Sequence, residues 1–333
     1  MILSGVMNTI NLDVTWELGP TMVYGTLVKP EGSGPFPGVI MVAGSGPTDR
    51  NWNSPLLPGT NGSAALIAQA LAEAGIASLR YDKRTAGKKA PTNMPHLMGK
   101  LSMLSYAEEV AGGMELLSHR QDIRVDQIFG FGHSEGTLHI LHYQLKDPVY
   151  PLAGMVLAGP PGRAVGSVAR SQIAAQASTL PHRDDLMAQY DASITRFLGG
   201  EAVAPNPMLP EGIQHFLLSL EAPANLPFTR ELWIADTSSL LRNADVPLLV
   251  VIGKKDIQVD WTEDGELLQH AVKEHEDAIL LFPDNANHVL KYEPNPRARL
   301  TPAEAMQRYN AQDADLDPET MSSMLTWLFA HMV

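Results

Sequence analysis

The sequence predicts an α/β fold: a mostly parallel central sheet, helices on both of its faces, and an inserted block that is helical throughout. Three observations carry that expectation. Short uninterrupted apolar runs, such as GVIMV at 38–42 and PLLVVI at 247–252, read as strands buried on both faces. Segments with apolar residues at helical spacing alternate with these runs, the signature of βαβ units. The alternation then lapses from about 163 to 243, where helical periodicity continues without a strand.

Taken in order, 10–18 and 22–28 form a leading hairpin, set apart by Gly19-Pro20 and by the turn-rich residues 31–37. The strand 38–42 runs into a loop of small residues, Ala43-Gly44-Ser45-Gly46-Pro47. Residues 61–75 place Leu66, Ile67, Ala70, Leu71 and Ala74 on one helical face, with Gly75 as the stop. Strands follow at 76–81, 125–131 and 152–157, with helices at 106–120 and 137–146. The 163–243 block holds helices at 168–180, 184–198 and 212–220. A strand at 247–252, a helix at 261–275, a strand at 278–282 and a helix at 318–332 close the chain. The expected organisation is a core made of 1–162 and 244–333, with 163–243 inserted as a cap over the sheet's carboxyl edge.

Composition narrows the function. The 333 residues are 44% hydrophobic and 18% charged, as in globular proteins generally. Lys and Arg total 24 against 37 Asp and Glu, and a net charge of −13 argues against binding nucleic acid, which needs a basic face. There is no cysteine, which excludes disulfides, thiolate metal sites and a cysteine nucleophile. The first 18 residues carry no Lys or Arg, and no stretch reaches the length of an apolar membrane span. The expectation is therefore a cytoplasmic protein with no membrane span. A monomer and a homodimer are equally compatible with this pattern.

Gly132-His133-Ser134-Glu135-Gly136 is the one match to G-x-S-x-G in the chain. Two glycines and a serine recur by chance, so context decides. Here a strand runs straight into the motif and a helix leaves it, the setting in which a sharp turn projects a serine hydroxyl above a sheet. A serine hydroxyl attacks only when a base takes its proton and an acid orients the base. In elbow-type sites the order along the chain is Ser, acid, His.

Asp256 lies in Gly253-Lys254-Lys255-Asp256, just beyond the strand 247–252, and follows Ser134 by 122 residues. Asp260 and Glu263 compete with it, but they fall where acidic residues cap the next helix. Of the later histidines, His270, His275 and His331 belong to helices or the terminus. His288 sits in a turn-rich loop after the last strand and is the expected base. The oxyanion formed by attack needs backbone N–H donors already aimed at it. They are expected from Glu135, directly after the serine, and from Ser45, with Gly46 as its substitute.

His139 and His142 stand three apart on a helix, but with no third ligand they read as packing residues rather than a metal site. Asp49-Arg50 and Asp82/Arg84 read as ion pairs that hold loops. No dinucleotide fingerprint or phosphate-binding Walker loop occurs, and no cofactor or metal is expected. Leu180, Met187, Phe197, Phe216, Leu217 and Trp233 of the cap, with His133, are expected to line a pocket for an acyl or aryl group of modest size.

These segments together resemble a bacterial α/β-hydrolase of the capped serine esterase and aminopeptidase-like group. The resemblance rests on Gly44-Ser45-Gly46-Pro47-Thr48-Asp49-Arg50, Tyr81-Asp82-Lys83-Arg84, the Ser134 motif, Gly253-Lys254-Lys255-Asp256 and Asn287-His288. It implies the α/β-hydrolase fold, a Ser134–Asp256–His288 triad and hydrolysis of small-molecule esters through an acyl-enzyme. The chain departs from the pattern in two places. Ala43-Gly44 replaces the usual His-Gly before the oxyanion loop, and Thr85-Ala86-Gly87-Lys88-Lys89 replaces a Gly-x-Gly-x-Ser segment and reads as scaffold. A peptidase or amidase of the same fold is an alternative, with Asp184, Asp185 or Glu201 to hold a free amine. A non-catalytic ligand-binding hydrolase fold is another.

Overall fold

A computed structural model describes residues 8–178, 180–311 and 313–332; Met1–Met7, part of the amino-terminal stretch read for a leader, lie outside them. The chain forms β1 (Thr9–Leu18), β2 (Thr21–Pro30), β3 (Phe36–Val42), α1 (Ser63–Glu73), β4 (Ala77–Asp82), α2 (Ala90–Leu97) and α3 (Met103–Ser118). It continues with β5 (Ile123–His133), α4 (Glu135–Gln144) and β6 (Met155–Ala158). Five helices come next: α5 (Val165–Gln176), α6 (Arg183–Leu198), α7 (Glu211–Leu220), α8 (Phe228–Ile234) and α9 (Thr237–Leu241). The last part is β7 (Leu248–Val251), α10 (Glu263–Ala271), β8 (Ala278–Leu281), α11 (Pro302–Tyr309) and α12 (Pro318–His331).

One eight-stranded sheet has the order β1-β2-β4-β3-β5-β6-β7-β8. The leading hairpin pairs antiparallel, β2 joins β4 antiparallel, and the six strands from β4 to β8 are parallel. The uniform apolar runs follow from burial on both faces. In β3, Ile40 and Val42 face one cluster with Val110 and Met114 of α3 and Ile140 of α4. Val39 and Met41 face the other, with Ile67 and Leu71 of α1 and Trp327 of α12. Alternate side chains of one strand thus supply both cores.

Between β6 and β7 the named elements of the described residues are all helices, joined by turns and loops. Met187, Tyr190 and Phe197 of α6 pack with Ile213 and Leu217 of α7 and Trp233 of α8 in a cluster separate from the sheet. A second, smaller cluster ties this layer down, joining Phe228 and Leu232 of α8 to Tyr106 of α3 and Leu138 of α4. Near the end of the block, Leu241 of α9 and the adjacent Ala244 bury with the sheet core instead. No described helix is long and apolar enough to cross a membrane.

Four helices had no counterpart in the sequence reading. Two of them, α8 and α9, are only seven and five residues long, too short for a period to register. In α2, Pro91 and Pro95 disguise the pattern; the first sits in the opening turn, where a missing N–H does no harm. α11 carries a capping box, Thr301 with Glu304, in a segment dominated by polar residues.

Candidate active site

From β3 the chain crosses to β4 on one side and returns to β5 on the other, so a crevice opens above the carboxyl ends of β3 and β5. Two of the segments singled out in the sequence border it: the 43–47 loop after β3, and the Ser134 turn after β5.

Ser134 occupies the step between β5 and α4 with φ 53° and ψ −121°, a conformation non-glycine residues seldom adopt. The surroundings impose it. The Ser134 amide donates to the Ala158 carbonyl at 2.8 Å, and the Thr137 hydroxyl donates to the Ser134 carbonyl at 2.6 Å. Gly136 is required by the close approach of α4 to the end of β3: a Cβ there would strike the Val42 carbonyl and lie 2.8 Å from that of Ala43.

Asp256 is fully buried, and its carboxylate is saturated. Oδ1 accepts from the amides of Gln258 (2.7 Å) and Val259 (3.0 Å), and Oδ2 accepts from His288 Nδ1 at 2.7 Å. That bond leaves Nε2 of His288 as the free ring nitrogen. The His288 loop is shaped by Asn287, whose side chain accepts from the amides of Val289 and Lys291. Arg297 steadies the Asp256 loop, donating to the Asp256 carbonyl at 2.9 Å and pairing with Asp260 at 2.7 Å.

Ser134 and His288 line one cavity of about 630 Å³, together with Ser45, Gly46 and Glu135. Phe216 and Trp233 form part of its apolar wall, beside Val168, Phe228 and Leu232. Ala169, Gln172 and Phe216 also line a slot of about 430 Å³ between α5 and α7, so the cavity extends into the helical layer. Pro47 and Thr85 likewise border a cleft of about 890 Å³ beside the leading hairpin, in which Lys88 and Lys89 take part.

The remaining residues expected in the pocket are elsewhere. Met187, Phe197 and Leu217 are consumed by the helical layer's own core, because a layer of helices must bury its apolar stripes before it can furnish a pocket. Leu180 lies on the slot's rim, 40% exposed. His133 is behind Ser134, not in the cavity. Its ring stacks on Trp52 at 4.2 Å, and its Nε2–H donates to the His288 carbonyl at 2.9 Å. Burial, with His288 close by, lowers its pKa to about 3, so it stays neutral.

A charged cluster beneath the motif had no counterpart in the sequence reading. Glu135 is buried with Lys83 and His139, each 3.0 Å from its Oε1. Burial alone would raise its pKa, but Lys83 and His139 hold it down at about 2. His139 stacks on Tyr106 at 4.4 Å, and burial keeps its own pKa low. The signal available in sequence was a charge directly after a strand, Lys83, and another inside the motif, Glu135.

Other charged candidates hold loops. Arg50 pairs with Asp82 at 2.7 Å and Arg84 with Glu109 at 2.9 Å, the latter pair buried. Asp260 accepts from the amides of Thr262 and Glu263 at the start of α10. His331 bonds to the Trp327 carbonyl and to Asp277, away from the cavity. No group of three potential metal ligands converges among the described residues.

The sheet order, the crossing helices and the turn at Ser134 define the α/β-hydrolase fold. No family model matches the chain. Among characterised proteins it is similar to the esterase EstD of Thermotoga maritima, 26% identical over 308 residues. That match takes in 91% of this chain, which spans only 65% of EstD's length. Among solved structures, the proline iminopeptidase of Mycobacterium smegmatis superposes with a TM-score of 0.56 at 16% identity, over 96% of this chain and 98% of its own. An esterase from Pyrococcus furiosus gives 0.55 at 15% identity, over 98% and 92%.

Proposed function

We propose that the protein is a serine carboxylesterase acting on small to medium acyl or aryl esters through an acyl-enzyme. The observation that carries this reading is the convergence of Ser134, His288 and Ser45 on one cavity, with His288 held by a fully buried Asp256. In the mechanism, Ser134 Oγ bonds to the ester carbonyl carbon while its proton passes to His288 Nε2. The oxyanion is held by the amides of Ser45 and Glu135, with Gly46 alternative to Ser45. His288 then returns the proton to the departing alcohol, and water repeats the sequence on the acyl-enzyme. Asp256 orients His288 and stabilises the imidazolium.

The likeness to EstD, named an esterase, supports ester over amide substrates. So does the cavity wall. Glu135 is the one acid among its described lining residues, and Lys83 and His139 occupy its carboxylate. Asp184, Asp185 and Glu201 are exposed and outside the cavity, leaving an amino-terminal amine without a counter-ion. We take the helices between β6 and β7 as the cap, with the α5–α7 slot receiving the acyl or aryl group. Incubation with p-nitrophenyl esters and, in parallel, aminoacyl p-nitroanilides tests the assignment. Ester turnover with no anilide turnover is the result expected, and the reverse preference overturns it.

A further inference from the structure

Lys83 stands just past the end of β4, and its side chain reaches across the end of β3 toward β5, the order in which those three strands lie. Its ammonium donates to the Gly44 carbonyl at 2.7 Å and to Glu135 Oε1 at 3.0 Å, and it lies 5.4 Å from the centre of the Tyr106 ring. The side chain is 2% exposed. The two acceptors belong to different backbone segments. Gly44 immediately precedes Ser45, and Glu135 carries the amide that follows the nucleophile.

We propose that Lys83 is a positioning residue that fixes the two halves of the oxyanion hole relative to each other, setting the spacing between the Ser45 and Glu135 amides. This rests on the serine-hydrolase reading above. A carbonyl and a carboxylate both only accept hydrogen bonds, so the group that joins them must be a donor at both ends, which an ammonium is. The loop needs such an anchor. Its residues are small, Ser45 and Gly46 are exposed, and Thr48 closes it only from within by donating to the Ser45 carbonyl at 2.7 Å. The far end of the clamp is rigid, because Glu135 is also held by His139, which is stacked on Tyr106. An oxyanion hole acts through donors whose positions are set before the charge appears, so a loose loop lowers kcat with little effect on substrate binding.

The test compares the wild type with Lys83→Met and with the double variant Lys83→Met/Glu135→Gln. The single variant leaves Glu135 buried without its cation and is liable to misfold; the double variant removes both charges while keeping the Glu135 amide. Measured are the melting temperature, kcat and KM for p-nitrophenyl butyrate, and the inhibition constant of a trifluoromethyl ketone with the same acyl group, whose adduct with Ser134 carries an oxyanion. The expected result is a double variant that melts near the wild type yet loses roughly ten- to a hundredfold in kcat. KM should stay within a few-fold, and ketone affinity should fall in step with kcat. A double variant with wild-type kcat and ketone affinity overturns the proposal, since Lys83 would then do no more than neutralise Glu135. A wild type that neither hydrolyses the ester nor binds the ketone removes the hydrolase reading itself, and that is seen before any variant is made.

Discussion

The His133 imidazole donates from Nε2 to the backbone carbonyl of His288 at 2.9 Å while stacked on Trp52 at 4.2 Å. The residue before Ser134 therefore supports the loop of the residue assigned as base, 155 positions later. Its other nitrogen, Nδ1, is buried with no partner, so a second proton would have nowhere favourable to sit.

That arrangement predicts the acid response of stability. His133 has its pKa lowered to about 3, from 6.5, chiefly by burial, and burial lowers that of His139 as well. Depressed values mean that the unfolded chain binds protons the folded one refuses. The stabilisation is then complete above pH 6.5 and declines as pH falls from there toward 3. His133 should contribute a slope of about 1.4 kcal/mol per pH unit in that window, and His139 adds to the decline in the same direction. Denaturant titrations at a series of pH values should show the decline, and His133→Asn should flatten it by about one proton's worth. An unchanged slope in that variant would contradict the assignment.

Asp256→Asn should lower kcat by about 10³- to 10⁴-fold with KM little changed, because an amide cannot stabilise an imidazolium or fix its tautomer. The same carboxylate accepts from the Gln258 and Val259 amides, so a modest loss of melting temperature should accompany it. Steady-state kinetics beside a thermal melt separates the two effects.

Gly159 makes room for the His288–Asp256 pair. It has φ +59°, and a Cβ there would lie 3.1 Å from His288 Cε1 and 3.2 Å from Nδ1. Gly159→Ala should strain the backbone by about 1–2 kcal/mol and tilt the imidazole. The expected readout is a roughly tenfold fall in kcat at nearly constant KM. Full activity would mean that the imidazole is not constrained from this side.

Phe216 and Phe197 should behave as opposites. Phe216 lines both the cavity and the slot, so Phe216→Ala should move the preferred p-nitrophenyl ester toward longer acyl chains. Phe197 is fully buried in the helical layer's own core, so Phe197→Ala should destabilise by about 3–5 kcal/mol and leave the chain-length profile unchanged. An acyl-length series on both variants, with melts, tests the distinction.

What the sequence revealed depended on how local each signal was. The alternation of apolar runs and helices made the sheet legible, because strands buried on both faces need few polar residues. Ser134, Asp256 and His288 were legible as candidates because each follows a strand in a short loop. The pocket was not: Met187 and Phe216 look alike along the chain, and only the third dimension decides which faces the layer's own core and which faces the cavity. His133, expected in the pocket, and Lys83, noted only within its segment, were not legible in their actual roles for a related reason. Their partners, the His288 carbonyl and the Gly44 carbonyl, are backbone atoms that no residue type announces. Arg297 lies in polar sequence whose fold is set by caps and ion pairs instead of periodicity.

The most direct test of the central claim is hydrolysis of p-nitrophenyl butyrate by the wild type and by Ser134→Ala, each stopped and analysed by mass spectrometry. The account predicts rapid turnover and a butyryl group on Ser134 in the wild type, with a loss of several orders of magnitude and no adduct in the variant. Equal turnover by the two proteins, or an acyl group carried on another residue, would contradict it.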